Sequence, residues 1–174
     1  MGGLILFDFI FRYYKDFKNK DNIKGFCFSS PFLALRNNSK LKEYAAHLGA
    51  QLNASFNIPG QIDPYSLSHD RLKVKEYIED PLIFKYVNIR WISQTVLKQK
   101  EILKNEAKIE KASLFLLAED DKLCDNDITE AIYSSISFRD KTKKVYKALY
   151  HEIFNETSRD EIFDDFSNWI IKRI

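Results

Sequence analysis

The side chains best able to do chemistry in this sequence are an aspartate and a histidine, thirty positions apart. Asp121 stands in the acidic run Glu119-Asp120-Asp121-Lys122-Leu123-Cys124-Asp125, directly after the apolar run Leu114 to Ala118; His151 stands in Tyr150-His151-Glu152, shortly after Lys143 to Lys147. An imidazole can take a proton from a hydroxyl nucleophile, and a carboxylate can hold that imidazole in the tautomer that leaves its accepting nitrogen free. Acyl transfer requires this pair together with N–H donors for the developing oxyanion. Each group also has a plain structural reading. A histidine between Tyr and Glu can be a surface or packing residue, and an aspartate in a strand-end loop can be a turn residue or a helix cap. Asp120 and Asp125 compete with Asp121 for the acid role. Placement favours the chemical reading, because both candidates follow strand-like runs, where parallel α/β sheets gather ligands and reacting groups.

The elements that must position them follow from the hydrophobic pattern. Residues 4 to 17 place Leu4, Phe7, Phe11 and Tyr14 at helical spacing, while Ile5, Phe9, Ile10 and Tyr13 cover most of the remaining circumference, which predicts a helix buried on several sides. Ile23 to Phe28 reads as a short strand ended by Ser29-Ser30-Pro31. From residue 32 to 107 the pattern is of loosely amphipathic helices, near 39 to 54, 70 to 78 and 88 to 106, broken by Asn37-Asn38, Pro59-Gly60, Asp63-Pro64 and Asp80-Pro81; no strand is expected there. This stretch reads as a helical cap inserted into the domain. Leu114 to Ala118 is a second, buried strand, and Asp127 with Glu130 three positions on resembles a capping box opening the next helix. Lys143 to Lys147 is a third, edge-like strand, and Ile162, Phe166, Trp169 and Ile170 form the apolar stripe of a closing helix. Strands alternating with helices argue for a parallel sheet in an α/β fold.

At 174 residues, with 45% hydrophobic and 14% aromatic residues against 5 Gly and 4 Pro, the chain has material for one sizeable core and little signature of disorder. Lys and Arg total 27 against 25 Asp and Glu, with the signs interspersed, so the electrostatic footprint of a nucleic-acid binder is absent. Cys27 and Cys124 give neither a disulfide framework nor metal-ligand spacing, which points to reduced thiols and a cytoplasmic setting. The apolar run Leu4 to Ile10 contains Asp8 and is far shorter than the roughly 20 residues of a membrane span. A soluble protein without metal or cofactor is expected. Apolar residues of the cap, among them Leu48, Leu52, Phe56, Ile58, Ile83 and Trp91, could line an acyl-chain tunnel or simply form core. Cys124 could be a reactive thiol or a small buried hydrophobe.

An ordered set of short motifs adds to this. Met1-Gly2-Gly3, Ser30-Pro31, Ile62-Asp63 followed by Leu67-Ser68, Asp80-Pro81-Leu82, Asp121-Lys122-Leu123-Cys124-Asp125, and Tyr150-His151-Glu152 with Glu156 shortly after run along essentially the whole chain. Together they resemble the C-terminal portion of the monoacylglycerol lipase and lysophospholipase group of α/β-hydrolases, whose nucleophile motif commonly reads Gly-His-Ser-Met-Gly-Gly. The resemblance implies a partial α/β-hydrolase fold over residues 1–174, with three parallel strands, flanking helices and the cap at 32–107. It implies a serine carboxylic-ester hydrolase with an acyl-enzyme mechanism, Asp121 as triad acid, His151 as triad base and Met1 at the oxyanion-hole position. The substrate implied is a monoacylglycerol or lysophospholipid, with peripheral membrane contact through the cap. The nucleophilic serine would fall one position before Met1, so the chain is expected to be a truncated form, inactive alone. The alternatives are a pseudoenzyme or lipid- or protein-binding module with a structural Asp and His, and an unrelated helical interaction module.

Overall fold

The computed structural model describes residues 1–36, 55–60, 62–104 and 109–174. Its centre is β4 (Ala112–Ala118), seven residues buried without exception. A strand apolar on both faces must be covered on both, and it lies between β1 (Gly25–Ser29) and β5 (Lys141–Tyr146), parallel to each, in the order β1-β4-β5. Among the described residues β1 is therefore an edge strand, with Cys27 opposite Leu114 and Phe28 opposite Phe115.

Side-chain alternation along β4 divides the core in two. Phe115 points into a cluster with Phe28 of β1 and with Leu4, Phe7 and Ile10 of helix α1 (Gly2–Arg12). The rings of Phe7, Phe28 and Phe115 stack in succession, with centroids 4.5 and 4.6 Å apart. Leu114, Leu116 and Ala118 point the other way, to Tyr146, Ile153 and Ile162, with Phe166 and Trp169 packed against them. Ile162, Phe166 and Trp169 belong to the closing helix α5 (Arg159–Ile171), as the apolar stripe predicts. Gly25 is where this helix comes closest to the sheet: a Cβ there would lie 2.6 Å from Trp169 and 2.7 Å from the Ala112 carbonyl.

Several sequence expectations need correction. Helix α1 is buried along one stripe only; Ile5 is 62% exposed and Tyr13 58%, so the apolar circumference does not reflect burial all round. Between residues 32 and 107 the structure contains a two-stranded antiparallel pair, β2 (Asn57–Pro59) and β3 (Tyr86–Asn88), in addition to helices α2 (Arg71–Glu79) and α3 (Ile89–Lys104). Three-residue strands are too short to show a period of two. The helix expected near 39 to 54 lies outside the described residues. Helix α4 (Asn126–Ser135) is capped by Asp125, whose carboxylate accepts from the amides of Asp127 and Ile128. Asp127 is thus a first-turn acid rather than the cap, and Glu130 is ion-paired with Lys143 instead of closing a capping box.

Candidate active site

Two loops at the C-terminal end of the sheet meet. The first leaves β4 and is held by main-chain bonds from Glu119 to Tyr146 and from Asp120 to Leu149, which bring it against the loop that follows β5. Asp121 is fully buried. Its Oδ1 accepts from the amides of Leu123 (2.8 Å) and Cys124 (2.9 Å), a local turn that the Asp-x-Leu-Cys sequence makes by itself. Its Oδ2 lies 2.8 Å from His151 Nδ1. An ionised carboxylate can only accept, so Nδ1 carries the proton and donates, and Nε2 is left as the accepting nitrogen. The His151 side chain is 20% exposed. Of the competing carboxylates, Asp120 is exposed and Asp125 is spent on capping α4.

The floor of the site is tied to the segment after β1. Arg36 N–H donates to the Leu123 carbonyl and Asp125 N–H to that of Ala34, while the Cys124 thiol faces the Ser30 carbonyl at 3.8 Å. Ser30, at the turn leaving β1, has φ of 37°, and a Cβ on Gly3 would meet Pro31 at 2.6 Å. Helix α1 thereby starts directly over this turn. Met1 precedes the helix and its carbonyl accepts from Leu4 and Ile5. Its amine is held below the ordinary α-amino range, first by burial and with an opposing influence of Cys124. Cys124 itself is pushed far above the usual thiol range, first by burial and then by the Asp121 carboxylate. That protonated, buried thiol is the small hydrophobe of the two readings.

Asp121, Cys124 and His151 bring ligating atoms within 4.8 Å of one another. Three N–H donors already occupy the two Asp121 oxygens, and burial holds the thiol in its neutral form, so the set is a hydrogen-bonded carboxylate–imidazole pair and not a prepared metal cage. Among the described residues no serine hydroxyl is hydrogen-bonded to His151. Of the suggested tunnel residues, Leu48 and Leu52 lie outside the described residues, Phe56 is 53% and Trp91 49% exposed, and Ile58 and Ile83 are half-buried. None of the four described side chains is buried.

A second carboxylate–imidazole pair went unrecognised in the sequence. Glu156 is fully buried and accepts from the amide of Tyr150 (2.8 Å), the amide of His69 (3.0 Å) and the His69 ring nitrogen Nδ1 (2.9 Å). The Glu152 amide also donates to the Leu67 carbonyl. The loop carrying His151 is therefore fastened on both sides to segment 67–69. Partners 87 positions apart leave no local signal; only the Leu67-Ser68 and Glu156 motif pieces touched this contact.

Comparison with known proteins decides the family. Residues 1–158 match the family model described as "Serine aminopeptidase, S33". The chain belongs to this family of hydrolases. Phospholipase YtpA of Bacillus subtilis is 29% identical over 168 residues, covering 94% of this chain and 62% of that protein. The monoacylglycerol lipase of Mycolicibacterium smegmatis is 25% identical over 114 residues, covering 65% of this chain and 41% of that protein. The crystal structure of the Paleococcus ferrophilus monoacylglycerol lipase superposes with a TM-score of 0.87 at 22% identity, over 99% of this chain and 65% of that one. The fold of this family member is that of the α/β-hydrolases, and the proteins it resembles are lipolytic hydrolases. The chain spans less than two thirds of the length of each of these three. Among the described residues no helix is long and apolar enough to cross a membrane.

Proposed function

We propose that this chain carries the acid–base half of a serine carboxylic-ester hydrolase acting on a lipid ester of the monoacylglycerol or lysophospholipid type. The observation that carries the reading is the 2.8 Å contact between His151 Nδ1 and buried Asp121. The carboxylate fixes the tautomer, His151 Nε2 takes the proton of a serine hydroxyl as it attacks the ester carbonyl, and the same nitrogen returns that proton to the leaving alcohol. Water, deprotonated by His151 in turn, then cleaves the acyl-enzyme. The N–H of residue 1, at the start of α1, is assigned to the oxyanion. The 174 residues contain no Gly-x-Ser-x-Gly sequence, and the nucleophile is assigned to a serine outside them. The 174-residue chain alone is accordingly assigned no esterase activity.

A fluorophosphonate probe tests this. The 174-residue chain should remain unlabelled, whereas the same chain preceded by a strand ending in Gly-His-Ser should label at one serine and hydrolyse monoacylglycerol. In that longer form His151→Ala should lower kcat by about 10⁴-fold or more. Stoichiometric labelling of the 174-residue chain, or an extended form indifferent to His151→Ala, would refute the assignment.

A further inference from the structure

We infer that the cavity beside the Asp121–His151 pair is a binding site for a phosphate group, and that the lipid ester this protein handles carries one. This rests on the ester-hydrolase reading for the identity of the lipid, though not for the anion site itself. The cavity has a volume of about 270 Å³. Its walls include Arg71, Lys122, His69, Tyr65, Tyr150 and Asp63. Lys122 and Tyr150 are the chain neighbours of Asp121 and His151, so the cavity wall is one residue along the chain from each member of the reacting pair.

The charges in this wall are arranged for an anion. Lys122 Nζ lies 3.9 Å over the Tyr150 ring, and the Arg71 guanidinium lies 5.2 Å over the Tyr65 ring. Among the described residues neither cation is ion-paired to a carboxylate. Asp63, the acidic residue of the wall, accepts the Tyr65 amide at 3.0 Å in its own turn. Two exposed cations against one carboxylate leave the cavity wall net positive. Tyr150 is in turn stacked on His69, with centroids 3.7 Å apart, and both residues are fastened to buried Glu156. The aromatic platform under Lys122 is therefore fixed before any ligand arrives. A neutral glycerol head group would leave both cations unused, whereas a phosphate could take charge-assisted hydrogen bonds from each. In a lysophospholipid the glycerol backbone separates the phosphate from the ester, which matches a phosphate pocket adjoining the catalytic pair.

Isothermal titration of the 174-residue chain with sn-glycerol 3-phosphate, inorganic phosphate and glycerol tests the inference without turnover. Glycerol 3-phosphate should bind at one site, more tightly than inorganic phosphate, and glycerol should not bind. Arg71→Gln and Lys122→Gln should each weaken glycerol 3-phosphate about tenfold or more, with Arg71→Lys and Lys122→Arg recovering most of the loss. Near-UV circular dichroism reports whether each variant keeps its fold. Equal affinity for inorganic phosphate would overturn the head-group assignment in favour of a free-anion site. Absence of phosphate binding, or binding unchanged in folded Gln variants, would overturn the pocket. Failure of serine labelling in the extended form would count against ester hydrolysis only.

Discussion

Glu156 should be among the most sensitive residues of this fold, although it lies outside the proposed reacting pair. Removing its carboxylate in Glu156→Ala leaves the Tyr150 and His69 amides without their acceptor, in a place fully shielded from water at the carboxylate. An unsatisfied buried amide costs about 1–3 kcal/mol, so the two together cost about 2–6 kcal/mol. The His69 ring adds less, since its side chain is 43% exposed and can turn to solvent. For a chain of this size that loss lowers Tm by about 5–20 °C. Glu156→Gln keeps one acceptor oxygen and should lose about half as much. The assay is urea unfolding followed by far-UV circular dichroism, with the Nδ1 proton of His151 monitored by NMR as a reporter of its contact with Asp121. Because Tyr150 directly precedes His151, the proton signal should broaden or shift in Glu156→Ala even well below the unfolding midpoint. A stability change under about 1 kcal/mol with an unshifted proton would show that the Glu156 contacts neither support the fold nor hold the histidine loop.

In an active, extended form of the protein, Asp121→Asn should reduce kcat by about 10⁴-fold with little change in KM, because the imidazole loses the acceptor that selects its tautomer; steady-state kinetics on a monoacylglycerol would show it. Cys27 should resist Ellman's reagent at pH 8 in the folded chain and react at once in denaturant, since burial pushes its thiol up to about 12 and cuts the thiolate fraction about a thousandfold. Tyr146 is shifted upward as well, first by burial and then by the hydrogen bond its hydroxyl donates to Asp165. Both groups bind their protons more tightly when folded, so their contribution is complete below about pH 9 and is lost as pH rises through the folded values; urea midpoints should fall between pH 9 and 12. Gly25→Ala should cost about 1–3 kcal/mol by forcing α5 away from the sheet, while Gly2→Ala, whose Cβ meets nothing, should be close to neutral.

How much of this was legible in the sequence depended on how far apart the determining residues are. The run Ala112 to Ala118 announces a central strand because both of its faces are buried and the apolar signal is unbroken. Helix α5 is legible because one apolar stripe packs on one sheet face. The meeting of Asp121 with His151 is legible through order and spacing and through the motif that singled out Asp121, and the turn that buries Asp121 explains why Asp120 and Asp125 do not take its place. The pair β2 and β3 is not legible, since strands of this length are specified by their partner and not by a pattern. The cap of α4 was displaced by two positions because several carboxylates in Asp120 to Asp127 could each satisfy first-turn amides, and only the tertiary position of the loop selects Asp125. Helix α1 shows the reverse failure: its sequence is apolar nearly all round, yet the described structure buries only the stripe of Leu4, Phe7 and Ile10.

The contact that the sequence hid also links the two functional proposals. The loop after β5 must do two things at once: present His151 to Asp121 and carry Tyr150 as the platform under Lys122. Main-chain donors at 150 and 152 end respectively on Glu156 and on Leu67, so the loop cannot shift toward or away from segment 67–69 without breaking one of them. His69 is bonded to the same carboxylate and stacks on the same tyrosine. A ligand that draws Lys122 and Arg71 together would press on Tyr150, and through the adjacent peptide on His151. Phosphate occupancy of the cavity should therefore sharpen, and not disturb, the His151 Nδ1 proton signal. A signal that weakens on saturation with glycerol 3-phosphate would mean that the cavity and the reacting pair compete for the loop, contrary to the shared support described here.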